Sequence, residues 1–107
     1  MSVTLIDDKY HIEYRAGTTQ ELILDLTYYP DETSTVGTPM DLSSAKFKFV
    51  AFDEESGKTK FEIPMNTLDN TVSCLIDHRR KLTCSFSVVL TQGRSVTDFL
   101  TGILRVY

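Results

Sequence analysis

In "LTCSFSVVL", residues 82 to 90, Leu82, Cys84, Phe86, Val88 and Leu90 share one parity and Thr83, Ser85 and Ser87 take the other. An extended strand points successive side chains to opposite faces. Such a run therefore builds one apolar face and one polar face, whereas the 3.6-residue period of a helix would scatter both. The same period recurs along the chain. In "QELILDLTYY", Leu22, Leu24, Leu26 and Tyr28 oppose Glu21, Asp25 and Thr27, with Ile23 the apolar exception. "TKFEIPM" sets Phe61 and Ile63 against Lys60 and Glu62 until Pro64, which has no N–H to donate, stops the ladder. Val72, Cys74 and Ile76 give a short strand of the same kind.

Two stretches depart from simple alternation. In "AKFKFVAFDE", Phe47 and Phe49 alternate with Lys46 and Lys48, and then Val50 and Phe52 take up the opposite parity, which predicts a bulge or a change of buried face. In "SVTDFLTGILRVY", Leu100, Gly102, Leu104 and Val106 fall on one parity and Phe99, Ile103 and Tyr107 on the other, a pattern expected of a strand covered on both sides. Gly102 within it predicts a bulge or a close approach of backbones. Between the strands, "EESGKT" and "TQGRS" read as hairpin turns through Gly57 and Gly93. "YYPDETSTVGTPM" is the longest irregular stretch, and Pro39, Asp41 and Ser43 mark a crossing into the strand that begins at Ala45.

Short strands at this spacing, with no long helical period, predict an all-β sandwich or small barrel of about seven antiparallel strands. The 107 residues fill one domain spanning 1–107, with residues 1–14 as an N-terminal arm and first strand. The formal net charge of −4 opposes neutralisation of a run of phosphates, so nucleic acid is not expected as a partner. The one basic run, Arg79-Arg80-Lys81, reads as a solvated turn. No apolar stretch has the length of a membrane helix and the N-terminus lacks the form of a signal peptide, so membrane insertion is not expected and synthesis in a cytoplasm is. Cys74 and Cys84 read as reduced core thiols.

Motifs that carry chemistry are incomplete. "SGKT" ends like a phosphate-binding loop, but Phe52 stands where the first glycine belongs and a hairpin replaces the strand-to-helix turn. "GRSVT" is half a nucleophile elbow around Ser95, with Thr97 in place of the closing glycine and only His11 and His78 as possible bases. Cys74, His78 and Cys84 lack the spacing of a zinc site. Asp7-Asp8, Asp31-Glu32 and Asp53-Glu54-Glu55 lack the glycine and regular oxygen spacing of a calcium loop. The reading is of no enzyme, no catalytic residue, no metal and no cofactor. Among the tyrosines, Tyr29 beside Pro30 is the candidate for stacking on a sugar.

Three segments in order, "AGTTQELILDLTYYPD", "PMDLSSAKFKFVAFDEESGK" and "CSFSVVLTQGRSVTDFLTGILRVY", resemble the immunoglobulin-like β-sandwich domains of tailed-bacteriophage and prophage structural proteins. Those of baseplate upper proteins and of tail-fibre or head-fibre attachment domains are the nearest kind. The parallels are a glycine-led first core strand (Gly17 to Leu26), the crossing at Pro39, Asp41 and Leu42, and a closing hairpin that ends Gly102 to Val106. Ser44 stands where such domains often carry glycine. The resemblance implies a non-enzymatic virion component, made in the bacterial cytoplasm, that attaches other phage structural proteins or copies of itself as a trimer or hexamer. Its alternative is a capsid-decorating or host-surface carbohydrate-binding module, with Tyr29 touching a host glycan. The expected assembly interface comprises Leu5, Ile6, Phe99, Leu100, Ile103, Arg105 and Tyr107.

Overall fold

A computed structural model of the chain describes residues 2–7, 9–28, 38–39, 44–68 and 70–107. Eleven strands run through them: β1 (Ser2–Ile6), β2 (Lys9–Tyr14), β3 (Gln20–Asp25), β4 (Thr27–Tyr28), β5 (Thr38–Pro39), β6 (Ala45–Phe52), β7 (Thr59–Pro64), β8 (Asn66–Leu68), β9 (Thr71–Ile76), β10 (Leu82–Gln92) and β11 (Ser95–Val106). No helix occurs among the described residues. A six-stranded sheet has the order β1-β2-β11-β10-β6-β7 and a three-stranded sheet the order β3-β9-β8, while β4 and β5 form a small separate pair.

The expected all-β sandwich is the fold observed, and its strand order is immunoglobulin-like. Lettered as in such domains, β3-β9-β8 are B-E-D, and β11-β10-β6-β7 are G-F-C-C′. The alternation predicts six of those seven; β8 carries no such signal, and the expected arm and first strand of residues 1–14 are two strands, β1 and β2. These two extend the larger sheet beyond β11. There β2 runs parallel to β11, with Tyr10 beside Gly102 and Tyr14 beside Val106, so the sandwich is not wholly antiparallel.

The core lies between the sheets. β2, β6, β10 and β11 send in Ile12, Tyr14, Phe47, Phe49, Phe86, Val88, Leu104 and Val106, and β3 and β9 answer with Leu22, Val72, Cys74 and Ile76. Complete burial of each large apolar side chain contributes roughly 1.5 to 3 kcal/mol. The centre is aromatic: Phe49 stacks on Phe86 at 5.1 Å and on Phe61 at 6.2 Å between ring centroids. Phe86 is able to lie flat there because its cross-strand neighbour is Gly102. A Cβ at Gly102 would collide with the Tyr10 carbonyl oxygen and stand 2.7 Å from the Phe86 ring. The close approach predicted for Gly102 is thus the one found, and it serves both the parallel pairing and the aromatic core.

Alternation survives along β3, where Leu22 is buried and Ile23 is 53% exposed. β6 differs from expectation. Phe47, Phe49 and Ala51 keep facing the core, and the ladder to β10 runs unbroken from Ala45 to Phe52. Val50 is instead buried on the opposite face, so the change of parity reflects cover on both sides. The irregularities sit on the neighbours. Lys60 is the extra residue of β7 opposite Ala51 and Phe52, and Phe99 is the extra residue of β11 opposite Val88 and Val89. A bulge restarts the alternation, which places Phe99 on the same side as Leu100. The Phe99 ring accordingly meets the buried Phe47 edge-on at 5.8 Å. β11 is therefore less covered on its outer face than its sequence suggests: Ile103 is half-buried, and Arg105 and Tyr107 are exposed.

Turn chemistry follows the sequence. The β6–β7 hairpin is held by the Asp53 carboxylate, which accepts from the backbone N–H of Glu55 at 2.9 Å and of Ser56 at 3.1 Å, and it closes through Gly57 at φ 71°. The β10–β11 hairpin turns in two residues with Gly93 at φ 61°, a conformation that a side chain disfavours.

Candidate assembly surface

The seven expected interface residues fall into two groups. Ile103, Arg105 and Tyr107 stand on the outer face of β11. The Arg105 guanidinium lies 5.6 Å from the Tyr107 ring centroid, and it also approaches the Glu13 carboxylate to 3.5 Å in the parallel register of β2. Both partners of that ion pair are about half exposed, so it adds at most about 1 kcal/mol. Leu100 and Phe99 are turned to the core side, Leu100 half-buried and Phe99 37% exposed. Leu5 pairs with Tyr10 and Ile6 with Lys9, which places Leu5 on the core side of the sheet and Ile6 on the outer side. Both are about half exposed. Tyr29 lies outside the described residues, as do Asp31, Glu32, Asp41 and Ser43.

Beside β1 the two sheets part. An apolar groove of about 430 Å³ opens there, with Val3, Tyr10, Ile12 and Leu100 on one wall and Leu22 and Leu24 on the other. Its origin is topological. In an immunoglobulin domain a first strand pairs with the free edge of B. Here the first two strands both join the larger sheet, and β3 has no partner on that edge among the described residues. Periodicity identified β3, β6, β7, β9, β10 and β11 but carried no signal for this opening, since it depends on which sheet the N-terminal hairpin joins.

The groups with perturbed acidity lie elsewhere, and burial is the leading cause for three of them. Desolvation pushes the Cys74 thiol up to about 11. It also raises Cys84 and Tyr14 above their ordinary values. Tyr14 is anchored through its hydroxyl, which donates to the His78 carbonyl at 3.1 Å. Asp53 shifts the other way, lowered first by the Ser56 N–H and then by that of Glu55. These are effects of packing and turn capping. Both thiols are free; with raised pKa they are neutral near pH 7, unlike reactive or metal-binding thiolates.

The histidines are apart from Ser95. His11 pairs with Ile103, eight positions along β11 and so roughly 26 Å from Ser95. His78 stacks on Phe61 with centroids 5.0 Å apart. Among the described residues no three His, Cys, Asp or Glu side chains gather as a metal site. An open depression beside the β6–β7 hairpin is lined by Asp53, Glu54, Thr83, Cys84, Ser85 and Ile103, where the Asp53 carboxylate is engaged by the turn amides and the Ser85 hydroxyl donates to Glu54 at 3.4 Å. Compared with known proteins, the chain matches no family model and no curated sequence.

Proposed function

We propose that the chain is a non-enzymatic structural and adaptor domain of a bacteriophage or prophage particle, joining or attaching a tail, baseplate or fibre component through its strand surfaces. The resemblance of residues 15 to 107 motivates the virion assignment. One observation carries the mode of action: an apolar edge strand, β1, lies exposed beside an open apolar groove. Exposed strand edges and apolar grooves recruit other chains by backbone pairing and side-chain burial, and this work needs no acid, base or nucleophile.

The test is the protein content of particles purified from an induced culture of the source organism, measured by quantitative mass spectrometry. Peptides of this chain in fixed ratio to the other particle proteins support the assignment. A chain expressed in the culture but missing from the particles overturns it.

A further inference from the structure

Among the described residues four strands end the two larger sheets, and three of them are guarded. Edge strands are ordinarily kept from pairing with other chains by charge, proline, bulges or shortness. β7 carries the bulged Lys60, then Glu62 and Pro64. β8 is three residues long. β3 presents Glu21 and Asp25, both exposed, on either side of Ile23. β1 has none of these devices. It reads Ser-Val-Thr-Leu-Ile without a charge, a proline or a bulge, and Val3, Leu5 and Ile6 are 48%, 58% and 49% exposed.

We propose that β1 is a self-assembly edge, pairing antiparallel with β1 of a second copy about a two-fold axis through Thr4. This rests on the reading above, that the domain works through its strand surfaces, and names a second copy as the partner. The register follows from the hairpin. Ile6 and Lys9 flank a two-residue connection and form its hydrogen-bonded pair. Alternation then turns the backbone groups of Val3 and Leu5 away from β2, toward the free edge. Pairing through those groups requires odd residues to face odd ones. Centring on Thr4 is the choice that uses all five residues and brings no charged residue into the seam. Val3 then faces the partner's Leu5 and Leu5 faces the partner's Val3, while Thr4 meets the partner's Thr4 across the axis. Aliphatic and Thr–Thr pairs of this kind are favourable cross-strand neighbours.

The groove supports the same partner. A two-fold perpendicular to the joined sheet sets both three-stranded sheets on one side of it. The two grooves then become the flanks of a single apolar trough, floored by Val3 and Leu5 of both copies. A five-residue seam by itself falls short of the roughly 1,200 Å² that stable complexes bury, so the dimer depends on concentration. It supplies even-numbered assemblies, including a hexamer built as three pairs.

The test combines light scattering behind size exclusion with site-directed crosslinking. From about 1 μM to about 1 mM, the mass should climb from the monomer's 12.1 kDa toward twice that value. Leu5→Lys should abolish the rise while leaving the melting temperature within a few degrees, because Leu5 is 58% exposed. Thr4→Cys should form a disulfide-linked dimer under mild oxidation. Directly opposed non-hydrogen-bonded residues have Cα atoms about 4.5 Å apart, within reach of a disulfide. Thr101→Cys, exposed on the middle of β11, should not do so, and the wild-type thiols set the background. A mass constant at 12.1 kDa, a trimer, a dimer untouched by Leu5→Lys, or Thr4→Cys crosslinking no better than Thr101→Cys overturns the proposal. A chain that is present in particles and fails these tests refutes only the β1 seam. A chain that crosslinks at Thr4 but is missing from particles refutes only the virion assignment.

Discussion

Replacing Gly102 by alanine tests whether one missing methyl group holds the N-terminal hairpin to the sandwich. The added Cβ would collide with the Tyr10 carbonyl oxygen and lie 2.7 Å from the Phe86 ring. Neither neighbour can yield cheaply. Tyr10 belongs to a five-pair parallel ladder between β2 and β11, and Phe86 is fully buried against Phe49. Overpacking a well-filled core costs about 1 to 3 kcal/mol, and a clash with backbone puts this site at the upper end, about 3 kcal/mol. With a urea slope of about 1.5 kcal/mol per molar, the unfolding midpoint should fall by about 2 M. Gly93→Ala is the control. Its φ of 61° strains a side chain but nothing lies within 4 Å, so the loss should be about 1 kcal/mol. Hydrogen exchange should also show faster opening of β2 in Gly102→Ala than in Gly93→Ala. A Gly102→Ala protein within about 0.5 kcal/mol of wild type would falsify the packing account.

Alkaline pH should destabilise the fold. Cys74, Cys84 and Tyr14 all have folded-state pKa values raised by burial, so their contribution is complete below the unfolded values and is lost as pH rises through the folded ones. For Cys74 the window runs from 9.0 to about 11 and the loss is about 2 to 3 kcal/mol; equilibrium urea melts at stepped pH measure it, and a flat profile contradicts the burial. Tyr14→Phe removes the donor to the His78 carbonyl and should cost about 1 kcal/mol, read from the same melts. Asp53 should titrate below 3.8 by NMR, and its shift should shrink if the Ser56 and Glu55 amides are released by loosening the turn. Arg105→Glu sets two carboxylates side by side in the β2–β11 register, yet the exposed pair should change stability by no more than about 1 kcal/mol; the surface expectation adds that it weakens assembly, and light scattering on the variant decides that point.

The sandwich was legible because each core strand repeats one physical rule. Leu82 to Leu90, Leu22 to Leu26 and Val72 to Ile76 put an apolar residue at every second position, and Gly57 and Gly93 occupy the turns that need a left-handed residue. Bulges were harder to place. The parity change after Phe49 looked like a break in β6, but a strand buried on two faces gives the same pattern, and the extra residues belong to β7 and β11. Phe99 shows the same limit. Its parity placed it opposite Leu100, and only the bulge, set by pairing with Val88 and Val89, turns it toward Phe47. The groove was not legible at all, because strand patterns do not say which sheet an N-terminal hairpin joins.

The parallel ladder between β2 and β11 also governs how the protein comes to be folded. Tyr10 and Gly102 are roughly ninety positions apart in the chain, so closing that contact fixes almost the whole polypeptide into one loop before the pairing gives any return. Domains ruled by such distant pairings reach the native state in milliseconds to seconds, far more slowly than chains with local contacts. During that interval the β1–β2 hairpin can form by itself, since its register is entirely local, while the free edge of β2 still lacks the strand that will pair with it. Nascent chains should therefore pass through a species with a finished hairpin and an unfinished sheet. Its fate at high expression is a contest between capture by β11 of its own chain and capture by a neighbour.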